Sequence, residues 1–243
     1  MIKKLITLFI LGRKLAKSDA LVIASKFNKP TLTIKILFKI LGFSFTKKEK
    51  INENDNEGKR LSDSLQSMGT TFIKLGQFLA TRPDIIGEEL SKHLETLQDK
   101  LPPFQLTKAE EMIKKDLGNE TFNSIINLSE PIAAASVAQV HKAQINDDGI
   151  IKDVAIKILR PDIKEIFNEE IDALMLFAFF VESLIKKTKR LKLIEVVFLL
   201  KEITNLEMDL RFEAAAANEY AENTKNDSGF KVPKIYWNFT SEN

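Results

Sequence analysis

Apolar residues recur at spacings of three and four from about Arg60 to Gln98, and this period predicts amphipathic helix. The stripe consists of Leu61, Leu65, Met68, Phe72, Leu75, Phe78 and Leu79. Pro83 is expected to end the first helix, because proline has no amide hydrogen to donate, and residues 86–97 resume a second. We therefore predict a helical region at residues 60–128.

The pattern changes from Ile132 to Leu159, where β-favouring residues nearly alternate with other residues. Those positions are Val137, Val140, Val154, Ile156 and Ile158. The turn-forming run NDDG at residues 146–149 separates the apolar runs and predicts a hairpin followed by a strand. A second region of different character is thus predicted at residues 129–243.

Two helices are predicted after the strands, at about residues 162–187 and 194–223. The stretch KVPKIYWNFT at residues 231–240 predicts one further strand. Runs of helix combined with a short antiparallel sheet indicate the α+β fold class.

The N-terminal part divides into a basic, apolar segment at residues 1–45 and a polar linker at residues 46–59. In the stretch 31–45, Lys35 and Lys39 lie one helical turn apart among apolar residues, which is typical of a helix on an anionic lipid surface. Packing of the same helix on the protein's own core fits this pattern equally well. The apolar run at 173–185 is too short to span a membrane.

Composition narrows the chemistry that a site in this chain can perform. The chain has 243 residues, a net charge of +2 and no cysteine, which excludes disulfides, zinc–cysteine sites and thiol catalysis. The charge gives no strong attraction to nucleic acid, so none is predicted as a partner. With only His93 and His141 present, no metal site is predicted from side chains alone, and Mg²⁺ would have to bind carboxylates and phosphates.

Lys157 stands between two isoleucines on the predicted strand. A lysine in this setting either emerges at a sheet edge or turns inward to meet a phosphate or carboxylate, because burial of an unpaired ammonium is costly. The acidic residues Glu207, Asp209 and Glu213 follow on a predicted helix, where Asp209 and Glu213 share one face. They either supply the partner of Lys157 or form a solvated face.

Lys74 and Gln77 lie on one face of the first helical region, with Gly76 between them. Glycine inside a helix costs about 1 kcal/mol relative to alanine. This cost is tolerable if another backbone or a ligand has to come close, and the spacing alone does not decide that.

These pieces, in this order, resemble the UbiB-type atypical kinase-like family, which supports ubiquinone biosynthesis. The residues that carry the resemblance are Lys74-Leu75-Gly76-Gln77 (KxGQ), Ala133-Ala134-Ala135-Ser136 (alanine-rich loop), Ala155-Ile156-Lys157 (lysine strand) and Glu207-Met208-Asp209 (ExD). The stretches at 97–104 and 159–162 also match. The resemblance implies KxGQ helices followed by a kinase-like small lobe with a short antiparallel sheet and a long helix C.

The resemblance also implies ATP as the ligand. Its expected binding residues are Ile132, Ala133, Ala134, Ala135, Ser136, Val137, Ala138, Gln139, Val140 and Lys157. Lys74, Gln77, Glu207 and Asp209 are expected to support the site, and Glu213 falls where the family's helix-C glutamate pairs with the lysine. Alanine in place of glycine stiffens the loop, and the family's chemistry is described as lipid-stimulated ATP hydrolysis rather than peptide phosphorylation.

Neither the HxDxxxxN motif nor the DFG motif occurs in the chain, and these supply the base and the metal ligands of kinase-type phosphoryl transfer. We therefore expect a truncated family member with the second lobe absent, no catalytic residue in this chain and no ATPase activity of its own. Either the reading frame is degraded or a separate chain supplies the second lobe. Without that lobe, residues 232–239 lack a neighbouring strand and the lysine strand becomes an edge.

The implied role is support of aerobic ubiquinone biosynthesis. It places the chain at the cytoplasmic face of the bacterial inner membrane or in the cytoplasm, with a nucleotide and ubiquinone-biosynthesis proteins as partners. The alternative function is a non-catalytic module that binds a membrane surface or another protein.

Overall fold

The computed structural model describes residues 6–7, 9–10, 57–95, 97, 101–147, 149–184 and 186–243. These residues divide into two compact units. The first unit comprises the described residues of Met1–Asp99 and Glu165–Glu202, and the second comprises those of Lys100–Lys164 and Ile203–Asn243. The helix predicted at 31–45 and most of the linker predicted at 46–59 lie outside the described residues.

In chain order, the described helices are α1 (Glu57–Met68), α2 (Thr70–Ala80), α3 (Pro83–Ile86), α4 (Glu88–Leu94), α5 (Leu106–Asn123), α6 (Ile163–Leu184), α7 (Leu193–Glu207) and α8 (Leu210–Thr224). The strands are β1 (Ile125–Ile126), β2 (Pro131–Ala134), β3 (Ala138–Asp147) and β4 (Ile150–Leu159). Short 3₁₀ helices occupy Lys186–Leu191 and Trp237–Phe239. The α+β class predicted from the sequence is confirmed.

The helices of the first unit bury Leu65, Met68 and Phe72 of the predicted apolar stripe, and its other four residues are half-buried. α1 packs on α2 and α4, and the buried side chains include Leu65, Met68, Phe72, Ile73 and Leu94. The prediction of one continuous helix up to Pro83 is wrong, because the helix breaks at Gly69. The φ of Gly69 is +106°, a conformation that glycine adopts readily and other residues do not.

Gly76 is buried in α2 against side chains of its own unit. A Cβ atom at this position would overlap Cδ1 of Leu97 and would lie 3.0 Å from Cδ1 of Leu65. The close neighbours of this position are therefore two leucine side chains. Dense packing explains why this helix position lacks a side chain.

We expect Gly76→Ala to lower the free energy of unfolding by about 1 kcal/mol, because the overlap with Leu97 outweighs the gain in helix propensity. In a Leu97→Ala background the overlapped methyl group is gone, so the same change should be neutral or stabilising. Urea unfolding of the four proteins measures this coupling. An equal loss in both backgrounds would show that Leu97 is not the obstacle.

The prediction of two helices at 162–187 and 194–223 is only partly correct. α6 has nearly the predicted bounds, but the second helix is interrupted between Glu207 and Leu210, where Asp209 begins α8 as its N-cap. Aspartate favours this position because its carboxylate accepts a backbone N–H that the helix start leaves unsatisfied. Within the described ranges, no helix is long and apolar enough to cross a membrane.

The sheet of the second unit is antiparallel and has β3 at its centre. β3 pairs with β4 in continuous register from Ala138 opposite Leu159 to Asp147 opposite Ile150, which confirms the predicted hairpin. β1 and β2 both pair with the other side of β3. Among the described strands β4 pairs with β3 alone, so the lysine strand is an edge, as predicted.

α5 covers one face of this sheet. Ala109 and Ile113 of the helix and Ile158 of β4 form the buried cluster, and Phe104, Leu117 and Ile156 are among the residues packed against it. Because side chains alternate along a strand, packing of Ile156 and Ile158 on α5 directs Lys157 to the opposite face of β4.

The strand predicted at 231–240 is wrong. Residues 231–236 have no regular structure, and Trp237–Phe239 form a single 3₁₀ turn. The backbone N–H groups of Phe239 and Thr240 donate to carbonyl groups three residues back, at 2.8 and 3.1 Å. A strand needs a paired neighbour to satisfy its backbone, and no described strand pairs with this segment, so local bonds form instead.

Candidate functional site

The structure pairs Lys157 of β4 with Glu213 of α8. The Nζ–Oε2 distance is 2.5 Å, and the two side chains are 39% and 60% exposed. The sequence left three acids open as partners, and the resemblance indicated Glu213. Since the pair is partly exposed, it holds the ammonium in place without withdrawing it from solvent, and the ammonium keeps donors available for an anion.

A cavity of about 520 Å³ lies along β4 and includes both members of this ion pair in its lining. Its other lining residues come from α5, from α8, from residues 153–158 of the strand and from residues 233–243, together with Ile125 and Ile145. Its size is in the range of small-molecule sites. Residues 132–140 do not line this cavity.

Glu242 and Asn243 connect the two elements that hold the ion pair. The N–H of Leu159, at the end of β4, donates to the carbonyl of Asn243 at 2.9 Å, and the N–H of Leu210, at the start of α8, donates to the carbonyl of Glu242 at 3.0 Å. The Glu242 carboxylate also pairs with Lys164 at 2.5 Å. The lysine strand and the glutamate helix are therefore tied together by the same two residues.

The alanine-rich loop is a tight turn between β2 and β3. The N–H of Ala135 donates to the carbonyl of Ala138 at 2.8 Å, which closes the turn. Ser136 and Val137 at its tip are buried, whereas Ile132 and Ala133 on β2 are exposed. Val140 lies directly opposite Lys157 in the register, so the turn is at the end of the strand that neighbours the lysine.

Gln139 directs its side chain into the interior of the second unit. Its amide oxygen accepts from the N–H of Phe104 at 2.9 Å, and its amide nitrogen donates to the carbonyl of Phe104 at 3.2 Å. The same nitrogen is 2.8 Å from Nε2 of His141, whose Nδ1 is 2.7 Å from the carbonyl of Ser129. Since a carbonyl only accepts, Nδ1 carries the histidine proton and Nε2 accepts from Gln139.

The four remaining predicted site residues lie on α2, at the end of α7 and at the start of α8. Lys74 and Gln77 are half-buried on α2 in the first unit. Glu207 is the last residue of α7 and is exposed in the second unit, and Asp209 is the N-cap of α8. In the described part of the chain, no group of three or more histidine or acidic side chains is arranged to hold a metal ion.

Comparison with known proteins connects this geometry to a family. Residues 96–243, more than half of the chain, match the family described as the ABC1 atypical kinase-like domain. The chain belongs to this family. The matched range contains the alanine-rich turn, the lysine strand and the helix that carries Glu213.

Curated relatives of the ABC1-like chain carry the name Probable protein kinase UbiB. The protein of Azotobacter vinelandii is 36% identical over 181 residues, which are 74% of this chain and 33% of the relative. The protein of Marinobacter nauticus is 33% identical over 208 residues, which are 85% of this chain and 37% of the relative. This chain therefore spans about a third of the length of the curated relatives it matches.

Asp209 of this ABC1-like chain is held by Arg211. The guanidinium donates to the carboxylate at 2.9 and 2.7 Å, and the backbone N–H of Arg211 donates at 3.1 Å. The side-chain hydrogen bond to Arg211 is the main cause that holds the pKa of Asp209 below its usual value, and the same contact raises the pKa of Arg211. The carboxylate of Asp209, the second acid of the ExD motif, therefore caps the N-terminus of α8.

We expect Asp209→Ala to lower the free energy of unfolding by about 1 kcal/mol at pH 7 through loss of the cap, and Asp209→Asn to cost less. The folded-state pKa of Asp209 lies below the unfolded value. The ionised carboxylate therefore stabilises the fold fully above the unfolded pKa, and this contribution is lost as the pH falls through the folded pKa. The stability difference between wild type and Asp209→Asn should accordingly decrease as the pH falls below the ordinary value of 3.8, and it should vanish below the lowered pKa of the folded state. A difference independent of pH would exclude a role of the charge.

Arg160 and Glu242 are two positions to which the sequence assigned no role, although both organise this region. Arg160 lies in the stretch 159–162 that matches the family, which was the one available signal. Glu242 carried no signal, because its contacts with Lys164 and Leu210 join residues remote in the sequence.

Proposed function

We propose that this chain binds ATP, with the ammonium of Lys157 contacting the phosphates and Glu213 holding that ammonium in position. The observation that carries the proposal is the ion pair at 2.5 Å between the lysine strand and α8 in a chain of a kinase-like family. Charge-assisted bonds from a fixed ammonium are a recurrent means of binding phosphate.

Two further features support ATP as the ligand. The cavity beside Lys157 has a volume suited to a small molecule and combines apolar residues such as Ile156 with the charged pair. The turn at Ala135–Val137 lies at the end of the adjacent strand, where backbone N–H groups serve to hold phosphates in other nucleotide sites. Mg²⁺ in this proposal is bound by the phosphates and not by a dedicated set of side chains.

The test is isothermal titration of the full chain with ATP, in MgCl₂ and in EDTA, together with a phosphate-release assay. We expect binding in both buffers and no turnover, because the HxDxxxxN and DFG residues do not occur in this sequence. Absence of ATP binding under both conditions would refute the proposed function. Turnover above the blank would refute only the expected inactivity.

Within the same proposal, the protein supports ubiquinone biosynthesis at the cytoplasmic face of the bacterial inner membrane. The resemblance to UbiB-type proteins supports this role, and the pattern of residues 31–45 supports a lipid-surface contact. Flotation of the full chain with vesicles of phosphatidylglycerol or of phosphatidylcholine tests the membrane part. Enrichment on the anionic vesicles alone is expected, and equal recovery from both would contradict it.

A second candidate function is binding of another polypeptide along β4. The outer edge of this strand is unpaired among the described strands, and the cavity follows residues 153–158 along that edge. Open edges accept an added strand through backbone hydrogen bonds. A separate chain carrying the second lobe is the proposed partner, and protection of the β4 amides from hydrogen exchange on its addition is the expected result.

A further inference from the structure

Arg160 holds the alanine-rich turn from one side at two points. Its backbone N–H donates to the carbonyl of Val137 at 2.8 Å. Its guanidinium donates to the carbonyl of Ala135 from both Nε, at 3.0 Å, and Nη2, at 2.8 Å. The two residues that flank Ser136 at the tip of the turn are thus both bonded to the same arginine.

The same guanidinium also bonds to a segment far away in the sequence. Nη1 donates to the carbonyl of Pro102 at 2.9 Å, and Nη2 donates to the carbonyl of Leu101 at 3.2 Å. Two residues further on, Phe104 is bonded through both its N–H and its carbonyl to Gln139 on β3. The segment 101–104 is therefore fastened to the turn by Arg160 and to the following strand by Gln139.

The chemistry of arginine suits this arrangement. The guanidinium is planar, permanently charged and carries five N–H donors in a rigid fork, so it can bond to three carbonyl groups at once. A lysine has all its donors on one atom and cannot reach the carbonyls of Ala135 and Pro102 with the same directions. In a trans peptide the C=O and N–H point in opposite directions, so the N–H of Ser136 points away from the guanidinium.

We propose that Arg160 is a positioning residue that locks the alanine-rich turn in one conformation before nucleotide binds. The locked turn presents its backbone to the phosphate groups, so Arg160 sets the affinity for phosphates and not for the adenosine part. The conformational lock stands on the contacts of Arg160 alone. The effect on nucleotide affinity rests on the proposed function, because it requires ATP to bind at this turn.

Hydrogen exchange of the free protein tests the lock without any nucleotide. The amide of Ala135 reports the turn, because it donates to Ala138, and the amide of Asn146 is the internal control, because it donates to Ser124 at 3.0 Å. In Arg160→Ala we expect exchange of the Ala135 amide to be at least tenfold faster and that of Asn146 to be unchanged. Unchanged exchange at Ala135, or equal acceleration at both amides, would overturn the lock.

Arg160→Lys keeps the positive charge and serves as a second variant if Arg160→Ala does not fold. It should accelerate exchange of the Ala135 amide to a similar extent, because one ammonium cannot span the three carbonyls. Arg82→Ala is the matched control, since Arg82 makes a bidentate pair with Asp84 in the first unit at 2.8 and 2.7 Å. It should leave the Ala135 amide as in the wild type, and recovery of wild-type protection in Arg160→Lys would overturn the proposal.

Titrations with ATP and with adenosine test the consequence for binding. We expect Arg160→Ala and Arg160→Lys to weaken ATP roughly tenfold, from the loss of an ordered turn, and to leave the affinity for adenosine unchanged. An equal loss for both ligands would overturn the role in phosphate affinity. If the wild type binds no ATP while Ala135 exchange accelerates in the variants, the proposed function fails and the lock is supported.

Discussion

Lys157→Ala is expected to weaken ATP binding by roughly 10- to 150-fold, because a hydrogen bond to a charged group contributes about 1.5–3 kcal/mol. The fold should tolerate the change. The lysine is 39% exposed and its partner Glu213 is 60% exposed, so the ion pair itself contributes less than about 1 kcal/mol to stability. Isothermal titration of ATP and urea unfolding of the same variant separate the two effects.

Lys142→Ala is the matched control for this variant. Lys142 is exposed on the neighbouring strand opposite Ala155, on the same face of the sheet as Lys157. It should bind ATP like the wild type. Glu213→Gln keeps the shape of the partner and removes its charge, so a smaller loss of ATP affinity is expected. Equal affinities of the Lys157→Ala and Lys142→Ala proteins would refute the assignment of the phosphate-binding cation.

Gln139→Leu is expected to lower the free energy of unfolding by about 3 kcal/mol. The side chain is fully buried, and leucine would leave the N–H and carbonyl of Phe104 and Nε2 of His141 without their present partner. Each buried polar group that loses its hydrogen bond costs about 1–3 kcal/mol, and partial rearrangement reduces the sum. Urea unfolding followed by circular dichroism measures the loss.

The same strand offers a matched control in Gln144. Its amide also makes two side-chain bonds, to Asn127 at 3.0 Å and to Asp153 at 2.9 Å, but at the solvent surface. Water replaces lost bonds there, so Gln144→Leu should change stability by no more than about 0.5 kcal/mol. An equal decrease in the free energy of unfolding for the two variants would show that burial does not explain the contribution of the Gln139 hydrogen bonds to stability.

The local sequence pattern accounts well for the elements near the site. The alternation around Val154, Ile156 and Ile158 predicted the lysine strand. The alternation arises because Ile156 and Ile158 pack on α5 while the residues between them face the other side. The breaks at Gly69 and Asp209 were missed because apolar periodicity continues across them. The backbone angle of Gly69 and the cap made by Asp209 decide those positions, and neither interrupts the spacing of apolar residues.

The strand predicted near the end of the sequence fails for a different reason. The β-favouring residues of 231–240 would favour a strand if another strand paired with this segment. Without a partner for the backbone, strand propensity alone does not form a strand. The arrangement of the sheet, in which that segment has no paired neighbour among the described strands, cannot be read from its own composition.

The sequence by itself determined the α+β class, the position of the lysine on a strand and the absence of cysteine chemistry. Only the tertiary structure decided that Glu213 meets Lys157 across 56 residues, and that Arg160 joins the alanine-rich turn to a segment 58 residues earlier. The physical reason is that periodicity records burial and local backbone preference one residue at a time. A hydrogen bond or ion pair between remote residues depends on how the elements pack, which no local pattern encodes.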